Sequence, residues 1–450
     1  MSKFGIRCSL LLFAIGSCLV ISQTLEAGGF GLRRSVGGIS IDTNGILRTS
    51  TVADAKKLRQ FMEGNLDQIN GDLKKTTKIR KISLKQLENV ISSAANKDID
   101  QLPDEVKYLG GLQRIQYIWV FPEQNDVVLA GPAEGWKIDR HGNVVGVGTG
   151  RPVVLLEDLV VAMKSVDAAR QGGISVSIDP TAEGRRNFDR YMKKQRVFSK
   201  NVLGGIEKAL GPQQITIQGV PETSHFSRVL VAADYRMKRI AMHLDPSPVK
   251  DIDSYLTMMK KRRAKQTDLM PRWWLATDYE PLAKSADGLA WELRGQGVKA
   301  MTEDEIIHAD GSVQGTGKAN PIAQEWADNM TAHYQELCEK DSVFGQLRNV
   351  MDLCVVAAVI KNEGLLETAG LILQHVSGAS DEVSIHTFNP PKTVDTQCSF
   401  IKKGRNYIIT ASGGVMIESW QAATKSQTSR HVEKVRASNG HQATSNIWWN

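Results

Sequence analysis

The sequence predicts an α+β fold of mixed short strands and helices in two packed parts. It adds a helical block at about 320–375 and a disordered C-terminal tail. Three observations carry this. Short runs of alternating apolar residues recur between Gly, Asn and Asp turns. Apolar stripes at helical spacing separate those runs. A composition of 41% hydrophobic and 23% charged residues suits a chain with a real core, neither disordered nor a membrane bundle.

Along the chain, residues 36–50 read as a hairpin over Asp42-Thr43-Asn44-Gly45, where Asp opens the turn and Gly supplies a positive φ. Residues 52–70 carry apolar positions at Val52, Ala55, Leu58, Phe61, Met62, Leu66 and Ile69, a helical stripe. A second helix starts at Ser83 and runs to about 95. Residues 116–121 and 126–130 are strands across a short turn, and 136–139 with 144–147 form another hairpin. An amphipathic helix follows over 155–166. Gly-Gly-Ile-Ser occurs at 37–40 and again at 172–175, each time ahead of a helical stretch, which marks either duplicated units or the chance coincidence of two short strings.

After Leu210-Gly211-Pro212, residues 215–220 and 227–233 read as strands and 253–261 as a helix. Further strands are expected at 272–276, 288–293 and 298–301. Asn320 caps a helix with Pro321 in its first position. Residues 343–360 form a second helix, apolar enough to be central, and 365–374 a third. Strands return at 384–388, 398–401, 407–412 and 414–417. The chain from Thr424 is polar and reads as a disordered tail. A length of 450 residues, at ~150 per domain, fits two or three units. The expected division is 1–27, 28–210, 211–423 and 424–450.

The first 27 residues have the pattern of an export signal. Lys3 and Arg7 precede an uncharged apolar run over 8–21, and a short polar segment ends at Ala27. That run is shorter than the ~20 residues of a membrane span. Cleavage near Ala27 is the expected outcome. The alternative is a lipoprotein anchored through Cys18, which lies in the loose lipobox Ile15-Gly16-Ser17-Cys18. The protein is therefore expected in the periplasm or outside the cell. Cys338, Cys354 and Cys398 lie beyond the signal, too few for a disulfide scaffold, and read as small buried apolar residues. A net charge of +7 is compatible with acidic envelope polymers or headgroups. It is too dispersed for a nucleic-acid binder.

No catalytic motif, metal-ligand spacing or cofactor fingerprint emerges. The glycine-rich stretch 311–319 resembles a phosphate loop, yet Ser312 and Ala319 stand where that loop needs Gly and Ser/Thr. Asp278, Glu280, Glu303, Asp304 and Glu305 could supply paired carboxylates for glycoside hydrolysis if two of them converge. The plainer reading places the triplet 303–305 at a helix start. Trp273, Trp274 and Trp291 could form a stacking platform for sugars or peptides. Strand alternation sends Trp273 and Trp274 to opposite faces, so one of them belongs to the core.

Four strings carry a resemblance. They are Val229-Leu-Val-Ala-Ala-Asp-Tyr-Arg-Met-Lys-Arg-Ile-Ala-Met242, Trp274-Leu-Ala-Thr-Asp-Tyr-Glu-Pro281, Trp291-Glu-Leu-Arg-Gly-Gln-Gly-Val-Lys299 and Met351-Asp-Leu-Cys-Val-Val-Ala-Ala358. Together they resemble a domain-of-unknown-function family of predicted secreted proteins from planctomycete-type bacteria. The resemblance implies export and a bacterial envelope setting, and brings no activity, cofactor or fold. Asp234, Tyr235, Arg236 and Lys238 become binding candidates through their place in the first string. The functional expectation is a non-catalytic binding or structural component of the envelope, partnered by an envelope polymer or another envelope protein. The alternative is a secreted hydrolase using carboxylates of the 278–310 region.

Overall fold

The computed structural model describes residues 35–94, 98–195, 200–262, 270–378, 382–403, 405–409, 411–440 and 448–449. The expected export signal and Cys18 lie outside the described residues.

The chain opens with β1 (Ser35–Val36), β2 (Ile39–Ile41) and β3 (Ile46–Thr49). Asp42 Oδ1 closes the β2–β3 turn by accepting from the Asn44 and Ile46 amides at 2.9 and 3.0 Å. Helix α1 (Val52–Gly64) has a capping box between Thr51 and Asp54. It stops earlier than its apolar stripe suggests, and Val52 is 88% exposed. Strand β4 (Thr77–Ser83) leads into α2 (Leu84–Ser93), capped by Ser83 as expected. The short α3 (Asp104–Lys107) precedes β5 (Tyr117–Phe121), β6 (Asp126–Ala133), β7 (Trp136–Ile138) and β8 (Val144–Gly146). These strands fall where the sequence put them.

Next come α4 (Leu156–Lys164), α5 (Val166–Gly172), β9 (Ile174–Pro180), α6 (Ala182–Met192), α7 (Leu203–Leu210) and β10 (Gln213–Gln218). Helix α8 (His225–Ala241) replaces the strand expected at 227–233. Ser224 caps it by accepting from the Ser227 amide at 3.1 Å. The helix is buried on nearly every side, so its apolar run has no polar stripe to mark the helical period. Helix α9 (Tyr255–Lys261) leads to β11 (Met270–Asp278), β12 (Leu282–Lys284), β13 (Ala290–Glu292), β14 (Gly297–Ile307) and β15 (Val313–Gly315). The acidic triplet 303–305 is therefore strand, not helix start: β14 extends to Ile307 because it pairs with β11 on one side and β15 on the other.

The helical block is present as α10 (Pro321–Ala332), α11 (Tyr334–Lys340), α12 (Ser342–Asn362) and α13 (Leu365–Ala369). Asn320 accepts from the Ile322 amide at 2.9 Å. Helix α12 is long and apolar enough to cross a membrane, yet its apolar window lies wholly inside the protein. Residues 384–388 supply only a bridge, Ser384 to Asp98. The chain finishes with β16 (Thr393–Val394), β17 (Ser399–Lys403), β18 (Arg405–Ile409), β19 (Ser412–Ile417), α14 (Ser419–Ala423), β20 (Ser426–Thr428) and α15 (Arg430–Ser438). The stretch from Thr424, expected as disordered, thus holds a strand and a helix. Val432 is fully buried, and Arg436 donates to the Val120 carbonyl at 2.7 Å and lies over the Phe121 ring. Val432 and Val435, Arg436 and the pairing of β20 with β12 order a segment whose composition is otherwise polar.

A ten-stranded sheet has the order β1-β2-β3-β16-β10-β9-β19-β11-β14-β15, and a six-stranded sheet the order β20-β12-β13-β5-β6-β4. β9 pairs with β10 across the break at Gly211, so the strands on either side of it share one sheet. Cys338, Cys354 and Cys398 are buried, and no disulfide joins any of them among the described residues.

Candidate functional site

Among the described residues, helices pack on one face of the ten-stranded sheet along β10, β9, β19, β11 and β14. Helix α8 packs over β9 and β19, and α10 over β14. Strand alternation sorts the side chains. Ile174, Val176, Ile178, Trp273, Leu275, Val298, Ala300, Val415 and Ile417 point to the helices and are buried. The opposite face carries Gln214, Thr216 and Gln218 of β10, then Ser175, Ser177 and Asp179 of β9. Ser412, Gly414 and Met416 of β19, Arg272 and Trp274 of β11, and Met301, Glu303 and Glu305 of β14 follow. Register aligns Thr216, Ser177, Gly414, Trp274 and Met301 in one row across the five strands.

Two adjoining concavities of about 480 and about 440 Å³ run over this face and share Arg272 and Thr216. Gly414 makes the central row shallow. A Cβ there would lie 1.8 Å from the Val176 carbonyl oxygen, so β9 and β19 pair only around a glycine. Gly414 brings no side chain between the half-buried Trp274 and Ser177, its partners in register on either side. Arg272 donates to Glu305 at 2.9 Å, and Ser412 donates to the same carboxylate at 2.9 Å. Burial would weaken the Arg272 charge, but Asp179 and Glu305 override it and hold the guanidinium protonated. Asp179 accepts from the Gly413 amide at 3.3 Å, and Glu303 from the Gly317 amide at 3.3 Å. Asp179, Glu183, Glu303, Glu305 and Glu418 line the groove against Arg185 and Arg272, so it is acidic although the chain is basic.

The structure separates the expected site residues. Trp274 lies in the groove. Trp273 is fully buried, edge-on to Tyr255 at 5.1 Å and Trp326 at 5.4 Å. Trp291 is fully buried under Lys284, 4.4 Å from its ring. The three tryptophans therefore form no common platform. Glu303 and Glu305 face the groove. Asp304 points to the helix side, where burial raises its pKa. Asp278 ends β11, about 20 Å along the strand from Arg272 at ~3.3 Å per residue. Its carboxylate is 4.0 Å from Lys299, and Glu280 beyond it is exposed.

The four α8 candidates are structural. Lys238 joins Asp234 at 2.8 Å and donates to the Ile178 carbonyl at 3.0 Å, tying the helix to β9. Burial pushes Asp234 up to about 6. Arg236 bridges Asp245 and Asp341 at 2.7 and 2.8 Å, and Tyr235 meets Thr49 at 3.2 Å. Among the described residues no group of three His, Cys, Asp or Glu is placed to hold a metal ion.

Arg272, Asp179, Ser177, Thr216 and Gln214 were not singled out from the sequence. The signal existed: Ile174-Ser-Val-Ser-Ile-Asp179 alternates strictly, so a strand with one polar face was readable. A domain of unknown function, DUF1598, is found at residues 176–255. No curated protein and no solved structure matches the chain. The DUF1598 segment runs from β9 through α6, α7, β10 and α8 to Tyr255. It supplies the Ser177, Asp179, Gln214, Thr216 and Gln218 side of the groove, together with Asp234–Lys238 beneath it.

Proposed function

We propose that this chain is an exported bacterial envelope protein that binds, without catalysis, a neutral or amine-bearing glycan along the open sheet face. The observation that carries this reading is Trp274 lying half-buried in a groove of Ser, Thr and Gln side chains. An indole face takes the apolar face of a sugar ring, and flanking hydroxyls and amides take its hydroxyl groups. The two adjoining concavities suit an extended ligand. The acidic lining disfavours the acidic polymers that net charge alone suggested. Glu305 is engaged by Arg272 and Ser412 and Asp304 faces away, which supports binding over hydrolysis. Residues 1–27 and the resemblance to secreted proteins support export. Sequencing the exported protein would then find Gly28 first, or a lipidated Cys18 in the anchored alternative.

Fluorescence and calorimetric titration with chitohexaose and soluble glycan strands of bacterial wall tests the site. Trp274→Ala is expected to weaken binding roughly tenfold, ~1.4 kcal/mol, with the melting temperature little changed. Absence of glycan binding by the intact protein, or equal binding by the variant, sinks the reading.

A further inference from the structure

A second cavity, of about 410 Å³, lies away from the groove, where the N-termini of α4 and α8 meet. Leu58, Phe61, Met62, Ile99, Val153 and Phe388 give it apolar walls. Two polar groups stand out in it. Glu157, in the first turn of α4, accepts no hydrogen bond from any described residue. His225, the first residue of α8, is 8% exposed. Its Nδ1 lies 3.0 Å from both oxygens of Asp158, and its Nε2 has no partner among the described residues. Asp158 thus orients the imidazole by taking Nδ1–H and leaves Nε2 facing the cavity, where it donates when the ring is protonated. The remaining charges pair among themselves: Asp100 with His386 at 3.1 Å and Asp104 with Lys107 at 2.6 Å. Arg228 lies against the Phe388 ring.

A cavity of mixed apolar and polar walls that leaves one carboxyl and one imidazole nitrogen unused fits a ligand bringing both complements on an apolar body. We propose that this cavity binds an apolar α-amino acid, its ammonium on Glu157 and its carboxylate on His225 Nε2. A plain amine would face the His225 charge uncompensated, and a plain acid would face Glu157. The zwitterion satisfies both.

The electrostatics agree. Burial pushes Glu157 up to about 7, with Asp158 and Asp100 adding to it and His225 opposing. Burial alone would lower His225, but the Asp158 carboxylate overrides it and raises the imidazole to about 9. Both groups carry the required charges between those two values.

The test is calorimetric titration of the full chain at pH 8 with L-phenylalanine, phenethylamine and 3-phenylpropionate. Phenylalanine is expected to bind at least tenfold tighter than either analogue. Glu157→Gln weakens phenylalanine and phenethylamine at least tenfold and spares phenylpropionate. His225→Gln spares phenethylamine and weakens the other two. The Glu157 proton is held more tightly in the folded chain, so its ionisation costs stability as pH rises from 4.5 through about 7. Glu157→Gln therefore folds at pH 8 at least as well as the parent. The unaltered protein gives a second readout, with phenylalanine affinity falling below pH 7 and above pH 9. Trp274→Ala leaves all of this unchanged, which separates the cavity from the groove. Phenylalanine binding no tighter than its analogues, or with no dependence on Glu157, overturns the proposal.

Discussion

Replacing Trp273 by alanine lowers stability by about 3–5 kcal/mol, whereas Trp274→Ala costs under ~1 kcal/mol. The two residues are adjacent in β11 and identical in chemistry, so the difference isolates the face each one occupies. Trp273 has no exposed surface and sits edge-on between Tyr255 of α9 and Trp326 of α10. Its removal leaves a void bounded by two helices and the sheet, which cannot close over it. Its indole N–H is buried without a partner among the described residues, so Trp273→Phe avoids that cost and loses less than alanine does. Trp274 is only half-buried and lines the groove, so water can fill the space it leaves. Urea or thermal unfolding of the three variants reads the result. Equal losses at 273 and 274 would mean that the polar face is covered in solution, and the groove would go with it.

Much of the fold is legible wherever local chemistry decides. The Asp42–Gly45 turn, the Ser83 cap and the Asn320-Pro321 start each follow from a residue satisfying backbone groups within four positions. Legibility ends where burial is complete. Helix α8 carries Val229-Leu-Val-Ala-Ala and reads as strand, because that run is buried on every side and holds no polar position to mark a helical period. The 303–305 acids look like a helix start until β11 and β15 are known to flank them. The groove was half readable. Alternation splits Trp273 from Trp274, but only the α9 and α10 contacts decide which is core. Asp179 and Arg272 come together through the order β9-β19-β11, in which β19 arrives from more than 130 residues downstream. The pairing of Asp158 with His225 spans 67 positions and has no local trace.

Asp158→Asn is expected to cost about 3 kcal/mol at pH 6, the size of a broken buried ion pair. Asparagine keeps the shape and can still accept from Nδ1–H, so what is lost is charge. The sign with pH follows from the imidazole. His225 binds its proton more tightly folded, with a value of about 9 against 6.5 in the unfolded chain. Its contribution is fully present below pH 6.5 and is lost as pH rises through about 9. Without the Asp158 carboxylate, burial is left to act alone and favours the neutral ring. The gap between the parent and Asp158→Asn should therefore be widest at pH 6 and narrow steadily towards pH 9.5. Urea unfolding at half-unit pH intervals measures it. A gap that stays constant over that range would mean a neutral imidazole in the folded chain. With Nδ1–H held by Asp158, Nε2 would then be an acceptor with no proton for a ligand carboxylate, and the amino-acid cavity would lose its carboxylate site.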